Sequence, residues 1–151
     1  MKNIFKKEVA QEVIDRINNL TPKTERLWGK MDVAQMLAHL NIQYEVVYEN
    51  GKFPKPNAFV RFMLKTFVKN KVVGSKPFPR NGRTAPYFVI ADTRDFEKEK
   101  TRLIAYILKT QKNGVEVLLP RDTKSFGKLT EDEWNNLFHK HIDHHLAQFG
   151  V

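Results

Sequence analysis

The chain has 151 residues, 41% apolar and 28% charged, with a formal net charge of +9, a composition that fits one folded domain over residues 1–151 burying about 70% of the surface its unfolded chain exposes. It contains no cysteine, which excludes disulfides, thiolate metal ligands and a cysteine nucleophile. No run approaches the roughly 20 apolar residues of a membrane-crossing helix, and the amphipathic start MKNIFKKEVAQEVIDRI lacks the apolar run of a secretory leader, so a cytoplasmic location is expected.

Helical periodicity dominates the chain. A first helix is predicted from Asn3 to Asn19, with Phe5, Val9, Val13, Ile14 and Ile17 on one stripe, ending before Pro22. A second starts at the N-cap Asp32 and runs to Glu49, where Asn50-Gly51 stops it. A third spans Asn57 to Lys71. The stretch containing Gly74, Pro77, Pro79, Gly82 and Pro86 reads as irregular, with Tyr87-Phe88-Val89-Ile90 either extended or a short helical turn.

A fourth helix is predicted over Asp95–Gln111, with acids early and lysines late, the order the helix dipole favours. Val115 to Pro120 reads as an edge segment at most. The last helix has the clearest start: Thr130 and Glu133 form a capping box before the apolar pattern begins at Trp134, and the helix should reach Phe149. Four long amphipathic helices and a shorter one imply an all-α, antiparallel up-down bundle with one long irregular connection.

Four of the five histidines lie in FHKHIDHHLAQFG. Each residue advances about 100° around a helix, so His145 falls about 40° from His141 on the apolar face, while His139 points nearly opposite, to solvent. His144 sits at the edge of that face, and Asp143 points outward. Two inward imidazoles one turn apart suit a shared metal ion. The alternative is a pair of core histidines satisfied by hydrogen bonds, since burying two unsatisfied rings costs several kcal/mol. His39 is the remaining candidate for a third ligand. It lies about 100° from the apolar centre of its helix (Val33, Met36, Leu40, Tyr44 and Val47), on a flank with Gln35 and Gln43.

With His39 in WGKMDVAQMLAHLN and His141-Ile-Asp-His-His145 before Leu-Ala-Gln148, the chain resembles the DinB-like (YfiT-type) superfamily of metal-binding four-helix bundles, in an uncharacterised branch with a His-x-x-His-His-x-x-Gln-Phe-Gly tail. The resemblance follows the helix order over nearly the full length; the basic, proline-rich segment 51–86 departs from it. It implies a divalent ion, Zn2+ or Ni2+, on His39, His141 and His145, and the activation of an external low-molecular-weight thiol for S-transfer, or hydrolysis, on a small-molecule substrate, in a protein that is often a homodimer. Gln35 and Gln148 lie nearer the edge of such a site and are candidate substrate or supporting contacts. A non-catalytic metal-binding bundle is the alternative. A further rival is a basic module in which residues 59–83, mixing Phe59, Phe62, Met63 and Phe67 with lysines and arginines, meet nucleic acid or an anionic membrane. That reading is less favoured than a bundle or dimer-contact helix with a solvated lysine edge.

Overall fold

The computed structural model describes residues 1–49 and 51–151; Asn50, part of the expected stop after the second helix, lies outside them. Among the described residues, five helices carry the structure. Helix α1 covers Lys7–Asn18 and buries the expected stripe of Val9, Val13, Ile14 and Ile17. It starts later than the predicted Asn3 because the chain first makes a turn closed by Lys6 N–H to the Asn3 carbonyl. Ile4 is fully buried ahead of it.

Helix α2, Val33–Tyr48, begins at Asp32, whose carboxylate accepts from the Gln35 backbone N–H at 2.8 Å while the Gln35 side chain accepts from Asp32 N–H at 3.0 Å. The predicted N-cap is therefore half of a reciprocal capping box. Twelve of its sixteen residues are buried. It is the central helix, packed on α4 and on the end of α5.

Helix α3 is built from Ala58–Met63, a π turn over Leu64–Val68, and Lys69–Val73. Its last part packs on α5; its first part buries nothing. A 3-10 turn over Pro86–Phe88 supplies the short helical turn in the connection.

Helix α4, Phe96–Asn113, is capped by Asp95 and ends on Gly114 at φ 70°, a left-handed conformation that suits glycine. Beyond it, Val115 to Pro120 is not an edge strand. Leu118 and Leu119 N–H close a helical turn on the Val115 carbonyl, with Val115 and Leu118 buried. A short run with two apolar residues three apart fits a buried turn as well as a strand, and packing decides. The described residues do pair as strands nearby, in a two-residue antiparallel hairpin, Asp122–Thr123 with Gly127–Lys128, that the all-helical reading omitted.

Helix α5 opens with the predicted Thr130–Glu133 capping box and runs through Glu131–Asn135, a π turn over Asn136–Lys140, and His141–Gln148. Trp134, Phe138, Ile142 and Leu146 bury the core side of α5, and Tyr44 stacks on Phe138 with ring centroids 4.9 Å apart. Fully burying each such side chain contributes about 1.5–3 kcal/mol. Among the described residues no helix is long and apolar enough to cross a membrane.

Candidate metal centre

Helix α2 delivers His39 and the last part of α5 delivers His141 and His145. One ligand nitrogen of each lies within 4.8 Å of the other two. The Nε2 atoms of His39 and His141 are 2.9 Å apart, and His145 packs edge-on to both rings, with centroids 4.7 and 4.9 Å away. His39 and His145 are buried. His141 keeps part of its surface open, but its ring is walled by Phe78 and Phe88 and its Nδ1 is sealed from solvent. The one-turn spacing of the α5 pair places both imidazoles against α2, as helical phase predicts.

Two of the three tautomers are set by neighbours. A carbonyl oxygen only accepts, so His39 donates Nδ1–H to the Phe88 carbonyl at 2.8 Å and turns its Nε2 lone pair toward His141. Gln148 donates its amide to the Trp28 carbonyl at 2.7 Å, which leaves Oε1 to accept from His145 Nδ1–H, also at 2.7 Å. His145 thus presents Nε2 as a free lone pair. His141 Nδ1 is buried without a partner. Trp28 carries the carbonyl because the next residue, Gly29, has φ 87°, and a Cβ there would overlap the Gln148 amide.

Burial holds the three rings neutral. Desolvation depresses His39, although its bond to Phe88 opposes the shift. It depresses His145 to about 3, and His141 well below the ordinary histidine range. Neutral imidazoles with Nδ1–H anchored and Nε2 turned inward are the state a divalent ion binds. The donor set therefore fits such an ion: three borderline nitrogen ligands, two of them oriented from outside by Phe88 and Gln148.

A family model described as "Protein of unknown function (DUF1569)" matches residues 5–150. The chain belongs to the DUF1569 family. Neither the curated proteins nor the solved structures yield a match.

Elsewhere in this DUF1569 chain the structure sorts the other candidates. Gln148 lies beside the triad, as an orienting group for His145. Gln35 is committed to the α2 capping box and to the Asp92 carbonyl, 3.2 Å away, with no hydrogen bond to a histidine. Asp143 is exposed, as expected, and pairs with Arg16 at 2.8 Å. His139 does not face solvent; it is only 6% exposed. Helix α5 is covered on two sides, and the side opposite the triad meets α1 and the N-terminal segment, where Asn135 accepts from Ile4 N–H at 2.8 Å. His144, at the edge as expected, stands between Trp28 and Phe78.

Three supporting groups had no sequence signature. The Phe88 and Trp28 carbonyls are backbone atoms, which any residue type supplies. Lys140 is a basic residue beside a predicted ligand, and the structure turns it away from the histidines. Its ammonium donates to the Lys71, Gly74 and Lys76 carbonyls at 3.1, 2.6 and 3.2 Å, capping the end of α3. Desolvation lowers its pKa to about 8. A cleft of about 630 Å³ lined by Arg26, Asp32, Arg94 and Phe149, among others, touches none of the three histidines.

Proposed function

We propose that this chain binds one divalent metal ion, Zn2+ or Ni2+, through His39, His141 and His145, and that it is a DinB-like antiparallel bundle acting on a small molecule as a thiol S-transferase or hydrolase. The observation that carries the reading is the convergence of three neutral imidazoles, two with their outer nitrogens anchored by Phe88 and Gln148. The DinB-like assignment is supported by ligand order, one histidine on the second long helix and a His-x-x-x-His pair on the last. Imidazole nitrogen suits zinc and nickel alike.

Three protein ligands are the count typical of catalytic rather than closed structural sites. A divalent cation held by His39, His141 and His145 would lower the pKa of a thiol or water bound to it. With no cysteine in the chain, the thiol comes from outside. The protein's own part is to hold the three rings, to fix two of them through Phe88 and Gln148, and to shield them with Phe78 and Phe88.

Protein prepared without an affinity tag, stripped with chelator and titrated with Zn2+ or Ni2+, should take up about one ion per chain. Uptake that survives the combined changes His39→Ala, His141→Ala and His145→Ala sinks the site. Turnover of electrophiles with a panel of small thiols, lost in His39→Ala, separates the enzyme from a metal-binding protein without activity.

A further inference from the structure

Residues 51–91 hold nine Lys and Arg and no Asp or Glu, and the remaining 17 Lys and Arg are balanced by 17 Asp and Glu. The whole net charge of the chain therefore sits in the segment that contains α3. The same segment carries its most conspicuous apolar surface. Phe59, Phe62 and Phe67 are 72%, 62% and 60% exposed, Met63 and Val60 lie beside them, and the other phenylalanines are buried or half-buried.

The backbone gathers these side chains. Phe59, Phe62 and Met63 stand at the i, i+3 and i+4 positions of one helical face. Phe67 lies four residues beyond Met63 and eight beyond Phe59, so it continues the same face, and the π turn over Leu64–Val68 leaves it there. Alongside runs a groove of about 470 Å³ lined by Lys55, Pro56, Ala58, Arg61, Phe62 and Lys65. Arg61 is paired with Asp122 at 2.5 Å, so Lys55 and Lys65, both exposed, supply the charge that remains. Lys71, Lys76, Arg80 and Arg83 extend the exposed basic border.

We propose that α3 is a docking surface for an anionic phospholipid bilayer, with Phe59, Phe62 and Phe67 entering the acyl boundary and Lys55 and Lys65 meeting headgroup phosphates. A helix with phenylalanines on one face and lysines on its borders lies in the plane of the interface, each lysine stem running along the apolar layer to keep its ammonium at the headgroups. Charge selects this occupant over a second copy of the chain, which would bring two identical cationic borders together. Aromatic side chains in contiguous array, rather than spaced among phosphate contacts, favour lipid over nucleic acid. The inference is independent of the metal centre, whose ligands lie on α2 and α5.

The test is flotation of the intact chain with vesicles of equal parts phosphatidylglycerol and phosphatidylcholine, and with phosphatidylcholine alone, at about 0.05 and 0.5 M salt. Binding is expected on the anionic vesicles only, and weaker at high salt. Lys55→Gln with Lys65→Gln should weaken it roughly 25-fold, about fivefold for each cation near the surface. Phe59→Ser with Phe62→Ser should weaken it by at least about tenfold. These side chains are exposed, so circular dichroism and melting temperature should stay at their wild-type values. Three results overturn the proposal: no preference for anionic vesicles, a dimer in sedimentation that the phenylalanine changes dissociate, or release from vesicles by an oligonucleotide whose binding ignores those changes.

Discussion

His39 and His141, 102 positions apart in the chain, bring their Nε2 atoms to 2.9 Å. Two lone pairs cannot face each other at that separation, so either a proton or a cation must lie between the rings. In metal-free protein the proton is supplied by His141 Nε2–H, since His39 already carries its hydrogen on Nδ1 toward Phe88. Replacing that proton by a divalent ion should stabilise the fold. At free metal near 100 times Kd the gain is about 2.7 kcal/mol, or roughly 5–10 °C in melting temperature for a chain of this size. Scanning calorimetry with and without chelator checks this, and His39→Ala should abolish the difference.

Stability of the metal-free protein should fall as the pH is lowered from neutrality. His145 titrates near 3 when folded, against 6.5 as its ordinary value. Between those values the unfolded chain holds a proton that the folded chain refuses. The contribution is therefore full above about pH 6.5 and decreases by about 1.4 kcal/mol per unit below it. His39 and His141 shift in the same direction. Urea unfolding at pH 7 and pH 5 should show a loss of about 2 kcal/mol from His145 alone. His145→Gln should flatten the slope, and equal stability at the two pH values would contradict the buried neutral triad.

Gln148 and Gly29 should behave as one unit. Gln148→Ala frees His145 Nδ1–H and the Trp28 carbonyl together, which costs about 1–3 kcal/mol of stability. Loss of such an outer partner typically weakens metal binding 10–100-fold, that is by about 1.4–2.7 kcal/mol. Gly29→Ala should weaken binding in the same direction without touching a histidine, because its methyl group displaces the Gln148 amide. Competition with a chromophoric chelator measures both variants. Wild-type affinity in Gly29→Ala would uncouple the turn from the site.

Lys140→Met should loosen α3 from α5. Three carbonyls at the end of α3 lose their donor, at a cost of about 1–3 kcal/mol. Hydrogen exchange of the Lys69–Val73 amides should accelerate while the amides at the centre of α2 stay protected. Uniform acceleration across both helices would show that Lys140 supports the whole fold rather than this junction.

Sequence reached the local chemistry of this protein further than its tertiary contacts. Asp32 and Thr130 mark helix starts because a side-chain oxygen meeting the N–H two or three residues on needs nothing from the rest of the fold. His141 and His145 are legible because α5 has an apolar stripe against which phase can be measured. His39 is not legible in that way. Its helix is buried nearly all round, so an angle from one apolar centre does not distinguish inside from outside, and only the resemblance brought it to the pair. His139 is not legible for a related reason: α5 has neighbours on two sides, and its apolar stripe marks only one of them. The exposed first part of α3 is the opposite case, since an apolar stripe in the sequence records amphipathicity and not which surface, internal or external, covers it.

The π turn of α5 bears on how related chains should be read. It takes up one residue more than a plain α-helix would between the capping box at Glu133 and the pair at His141 and His145. Removing that one residue would let the turn close as plain α-helix, with the residues beyond it keeping nearly the same phase. Both histidines would still face His39. The count of residues from capping box to histidine pair is thus a looser marker of the centre than the His-x-x-x-His spacing itself, and a related chain one residue shorter at that position keeps the means to form the site.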